Sequence, residues 1–94
     1  MFGTDDQLID AAMARALHQD VVRDHVLAAW VVWQDHPAHP NHRFIAQFAT
    51  ASPLPDVLVG ETLAEVQAQL PLGLVRYGRL PWYPAEMVEL WAAV

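Results

Sequence analysis

The 94-residue chain has no cysteine. That excludes disulfides, thiol catalysis and thiolate metal sites. It also has no lysine, and its basic groups are the five arginines Arg15, Arg23, Arg43, Arg76 and Arg79 against eleven carboxylates, a net charge of −6. Nucleic-acid binding depends on basic side chains displacing counterions from phosphates, so a nucleic-acid partner is not expected. Serine is reduced to Ser52, which precedes Pro53 in a loop and lacks the nucleophile-elbow context of a serine hydrolase. The four glycines are too dispersed for a phosphate-binding loop. The longest apolar run, Val26 to Trp33, has eight residues, far short of the roughly 20 that cross a membrane. The acidic start is unlike the basic opening of a signal peptide. No membrane contact is expected, and the cytoplasm is the default compartment.

What remains is apolar. Hydrophobic residues make up 54% of the chain and charged ones 17%, against about 25% charged in a typical soluble domain. So little charge leaves apolar surface in search of a partner. The length suits a single domain, 1–94, read as an N-terminal helical extension (1–25) and a sheet-plus-helix core (26–92).

Periodicity supplies the elements. Thr4 as N-cap with Gln7 three residues on, followed by Ile9, Met13, Ala16 and Leu17 at helical spacing, predicts a first helix. From Val26 to Trp33 both alternating faces are apolar, as in a central strand covered on two sides. A second strand is expected over about 42–50. Pro53 and Pro55 break the chain before a third over 56–59. Thr62 and Glu65 form a capping box for a second helix, which Pro71 and Gly73 end. Strands over 74–77 and 87–92 complete the order α-β-β-β-α-β-β. The expected fold is α+β: a mainly antiparallel sheet of four or five strands with one helix packed on it and an additional N-terminal helix.

Three candidate sites stand out. His36, His39 and His42 form an H-x-x-H-x-x-H run beside Asp35, a metal candidate because imidazole suits zinc, nickel or copper. Two of the histidines precede proline, which favours extended backbone. In polyproline geometry their α-carbons would lie roughly 9 Å apart, a poor fit to one coordination sphere, and a solvated hairpin loop is the plainer reading. Trp82 and Tyr83 between Pro81 and Pro84 make a rigid aromatic loop, either an interaction hot spot or the cap of a core edge. Trp30, Trp33, Trp82 and Trp91 line either a ligand pocket or a core with a dimer seam. His18, Asp20, Asp24 and His25 lack a nucleophile and read as a solvated surface with an Asp20–Arg23 pair. Glu86 and Glu89 would face opposite sides of the last strand, so they are not an obvious paired-carboxylate site.

The stretches Ala29-Trp30-Val31-Val32, Val57 to Val66, Gln69 to Leu74 and Val88 to Trp91 resemble a family of short bacterial proteins of unknown function, commonest in alphaproteobacteria. The resemblance covers roughly 26–92 and implies a bacterial, cytoplasmic source. More distantly, three strands followed by Gly60-Glu61-Thr62-Leu63-Ala64-Glu65 resemble the HicB-type antitoxin domain, which would imply a cognate toxin partner. The Pro-Gly turn usual before the third strand of that domain is missing here. The leading expectation is a non-enzymatic protein-interaction module acting as a homodimer, with no cofactor. The alternatives are a metal or small-ligand protein using the His36/His39/His42 loop, and a HicB-like antitoxin.

Overall fold

The computed structural model describes residues 6–24, 27–79 and 81–93. The chain is an α+β protein with the order β1 (Gln7–Leu8), α1 (Ala11–Arg23), β2 (Ala29–Gln34), β3 (Phe44–Ala49), β4 (Pro53–Gly60), α2 (Leu63–Gln69), β5 (Leu74–Tyr77) and β6 (Met87–Ala93). The strands form one sheet in the order β1-β4-β3-β2-β6-β5, antiparallel throughout except for the parallel β1–β4 pair. Six strands therefore replace the four or five expected. The additional one is β1, too short to leave a period in the sequence.

That strand also corrects the expected helix start. Gln7 pairs with Asp56 instead of closing a capping box, and Thr4 lies outside the described residues. The helix begins at Ala11, where the Asp10 side chain accepts a hydrogen bond from the Met13 backbone N–H at 2.8 Å. α1 packs on the core through Ala14, which is fully buried. At α2 the capping signal is borne out. Thr62 Oγ1 accepts from Glu65 N–H, while the Glu65 carboxylate reaches back to the Glu61 N–H at 2.8 Å. Gly60, at the β4–α2 junction, leaves room for the helix: a Cβ there would stand 2.9 Å from Val66 Cγ2. Gly73 ends the segment at φ +83°, where other residues are strained.

Pro53 and Pro55 lie inside β4 and do not precede it. β1 pairs only with Asp56 and Val57, so the first residues of β4 have an unpaired outer side where proline's missing N–H removes nothing.

Directly opposed residues in a sheet project to the same face. Trp30 thus shares a face with Phe48 and Trp91, and Val32 with Ala46 and Glu89. Ala14 of α1 and Val66 of α2 join Trp30, Val32, Ala46, Phe48 and Leu58 in a single buried cluster, so both helices cover this one face. The Trp30 and Phe48 rings stack within it at 4.6 Å. The other face carries Val31 beside Gln47 and Leu90, Trp33 beside Ile45 and Met87, and Tyr77 beside Leu90. Among the described residues no helix lies over it. The two-sided apolar pattern of β2 is real: Trp30 is fully buried under the helices, and Trp33 is half-buried on the opposite side. No helix in the described residues is long and apolar enough to cross a membrane.

Candidate functional site

The 35–43 connection between β2 and β3 is not the extended polyproline ladder that the X-Pro steps suggested. The His39 N–H donates to the His36 carbonyl at 3.0 Å and the His42 N–H to the His39 carbonyl at 3.2 Å, so two turns follow each other. Asp35, in the left-handed region at φ 55°, closes the loop by donating its N–H to the Arg43 carbonyl at 2.8 Å. Aspartate tolerates that conformation better than most residues.

Each histidine is committed differently. His36 Nδ1 accepts from the Ala38 N–H at 3.1 Å, and its ring meets Trp33 edge-on with centroids 5.1 Å apart. His39 is buried, with Nε2 at 2.6 Å from Asp6 Oδ2. This contact carries the loop across the end of the sheet to the start of β1. The His36 and His39 rings stand 6.0 Å apart. Burial, helped by the neighbouring His39, pulls the His36 pKa below its ordinary value, and Asp6 and Glu86 only partly oppose this. Beside the rings lies an open depression of about 490 Å³, bordered by Asp35, His36, His39, His42, Arg43 and Glu61. Among the described residues no three His, Asp or Glu side chains gather to hold a metal ion. An Asp–His pair can orient a base, but Ser52, the one serine, sits past the far end of β3.

Trp82 is 76% exposed and Tyr83 is half-buried, their rings edge-to-face at 6.3 Å. Arg79 holds this loop by donating to the carbonyls of Tyr83, Pro84 and Met87. The loop therefore offers its tryptophan to solvent and does not tuck it over a core edge. Nor do the four tryptophans share a pocket. Trp30 and Trp91 are neighbours under the helices, Trp33 is on the opposite face, and Trp82 is on the β5–β6 loop.

Of the eight large apolar side chains that are exposed among the described residues, four fall between positions 72 and 82: Leu72, Val75, Tyr77 and Trp82. They lie on β5 and its two flanks. Among the described residues β5 is an outer strand of the sheet, paired to β6 alone.

Two buried polar groups escaped the sequence reading. The Glu89 carboxylate is fully buried on the helix-covered face and accepts from Gln67 Nε2 at 2.7 Å, Trp91 Nε1 at 2.8 Å and Arg76 Nε at 2.5 Å. Burial alone would push its pKa up, but the three hydrogen bonds and the Arg76 charge together outweigh it and hold the carboxyl below its usual range. Glu86, expected to share the strand, lies before it and is exposed. The second group is His18, read from sequence as a surface residue. It is buried and accepts at Nδ1 from Trp30 Nε1 at 3.2 Å, and burial lowers its pKa. The Asp20–Arg23 pair does form on the exposed side of α1, and His25 lies outside the described residues. The alternation of Glu89 with Trp91 could have flagged the glutamate, since it sets that carboxylate on the tryptophan's side of the strand.

The chain matches no protein-family model, no curated protein and no solved structure.

Proposed function

We propose that this protein is a non-enzymatic interaction module that works as a homodimer. The observation that carries the reading is the concentration of exposed apolar side chains at 72–82, on an outer strand and the loop beside it, in a chain otherwise closed over one face by its helices. Isolated exposed apolar residues are ordinary, whereas a contiguous group of them marks a contact surface. The low charge content agrees. No comparable observation favours the metal-loop or antitoxin readings.

Light scattering coupled to size exclusion tests the proposal. The expected species at micromolar concentration has about 21 kDa, twice the 10.5 kDa of one chain. A 10.5 kDa species that persists as concentration is raised would rule the homodimer out.

A further inference from the structure

The two outer edges of the sheet are unlike, and the difference identifies where a second copy would join. On the β1 side the edge is guarded: β1 has two residues, and beyond it β4 presents Pro53 and Pro55, which have no N–H to offer. On the β5 side the edge Leu74-Val75-Arg76-Tyr77 has no proline and, among the described residues, is paired along one side only, so its outward N–H and C=O groups form a template for another strand. Its single charge, Arg76, is bound to the buried Glu89 of the same chain.

Resting on the homodimer reading, we propose that two copies join by antiparallel pairing of their β5 strands about a two-fold axis, making one continuous sheet. A head-to-tail joint, β5 of one copy to β1 of the next, is closed off by the proline-guarded edge. Pairing of β5 with itself uses the same patch on both copies and stops at two. An antiparallel two-fold joint keeps corresponding faces on the same side, so Val75 comes opposite either Val75 or Tyr77 of the second copy. The Val75–Val75 register sets Arg76 opposite Leu74 and is the favoured one, whereas the Val75–Tyr77 register would set the two Arg76 side chains directly opposite each other, a like-charge pair. Four residues of edge bury less than the roughly 1,200 Å² of a stable interface, and the flanks make up the remainder. Leu72, 87% exposed, lies just before β5, and Trp82, 76% exposed, lies on the loop after it. Antiparallel pairing therefore carries the leucine of each copy towards the tryptophan-bearing loop of the other. Charge also permits the joint. None of the chain's eleven carboxylates falls within 72–82, so two chains of net charge −6 meet without acid facing acid.

The absence of native cysteine makes cross-linking a clean test. Opposed α-carbons in an antiparallel pair lie about 4.5–5.5 Å apart, within the reach of a disulfide. Val75→Cys alone, or an equal mixture of Val75→Cys and Tyr77→Cys chains, should oxidise to a covalent dimer as the major product. Met13→Cys, exposed on α1, serves as the control for random collision. Val75→Lys, which adds a charge where the edge has none to spare, should weaken dimerisation at least tenfold while the circular dichroism of the fold is unchanged. Native dimers by light scattering with no cross-linking above the Met13→Cys control would overturn the β5 joint and leave the homodimer standing. A monomeric native chain would overturn both.

Discussion

The two faces of the sheet treat polar groups differently. Under the helices, every buried side-chain polar atom among the described residues has a partner: the Glu89 oxygens are shared by Gln67, Arg76 and Trp91, and the Trp30 indole is bound by His18. On the opposite face the Trp33 indole N–H is buried with no acceptor, the one such side-chain atom among the described residues. A buried donor without a partner costs about 1–3 kcal/mol. Stability is concentrated on the covered face, where mutation should unfold the chain. The β5 side of the other face is left for contact, where mutation should change association and spare the fold.

The contrast can be broken at several positions. Trp30→Ala should have the largest effect, a loss of about 3–5 kcal/mol by chemical denaturation. Trp33→Ala should cost clearly less, because that ring is only half-buried and its N–H is unpaired. Glu89→Ala strips the acceptor from Gln67, Trp91 and Arg76 and should cost about 2–3 kcal/mol. Glu89→Gln, which keeps an acceptor oxygen, should cost less. Since the folded pKa of Glu89 is depressed, its contribution is complete above the unfolded value and is lost as pH falls through the folded one. Denaturation midpoints should therefore drop in acid for the native chain and drop less for Glu89→Gln.

His18→Leu removes the acceptor of the Trp30 N–H and should cost about 1 kcal/mol near neutral pH. Burial depresses the folded pKa of His18 as well, so its neutral form stabilises the fold fully above about 6.5, and that support is lost as pH falls below it. His18→Leu should flatten part of the stability loss as pH falls below about 6.5, and His36 contributes by the same sign. The smallest effect on stability is expected at β5. Tyr77→Ala should stay within about 0.5 kcal/mol for the unfolding of the single chain, and sedimentation should show weaker self-association.

How much of this the sequence revealed depended on the length of each signal. The α+β class, the helix opened by Thr62 and the strands read at 74–77 and 87–92 follow from caps, from the prolines and glycines that punctuate the chain and from apolar runs several residues long, and the structure carries the last strand to Ala93. β1 could not be read, because two residues carry no period. Its presence moved the helix cap from Thr4 to Asp10. The prolines of β4 were read as breakers because their tolerance depends on a neighbour that stops short. His18 reads as a surface residue and Glu89 as half of an unpaired carboxylate couple, because a polar letter does not reveal its partner. Trp30 supplies that partner 12 positions away from the first, and Gln67 supplies it 22 positions away from the second. Trp82 and Tyr83 were legible as a rigid aromatic pair. That the tryptophan faces solvent beside an open strand edge required the assembled sheet.

Amide hydrogen exchange followed against protein concentration probes the division between the faces most directly. The outward-facing amides of Leu74–Tyr77 should become protected as concentration rises through the dimer range, by more than the general slowing that dimerisation imposes on the amides of β2 and β3, interior to the sheet. Equal, concentration-independent exchange in β5 and in the interior strands would contradict the account.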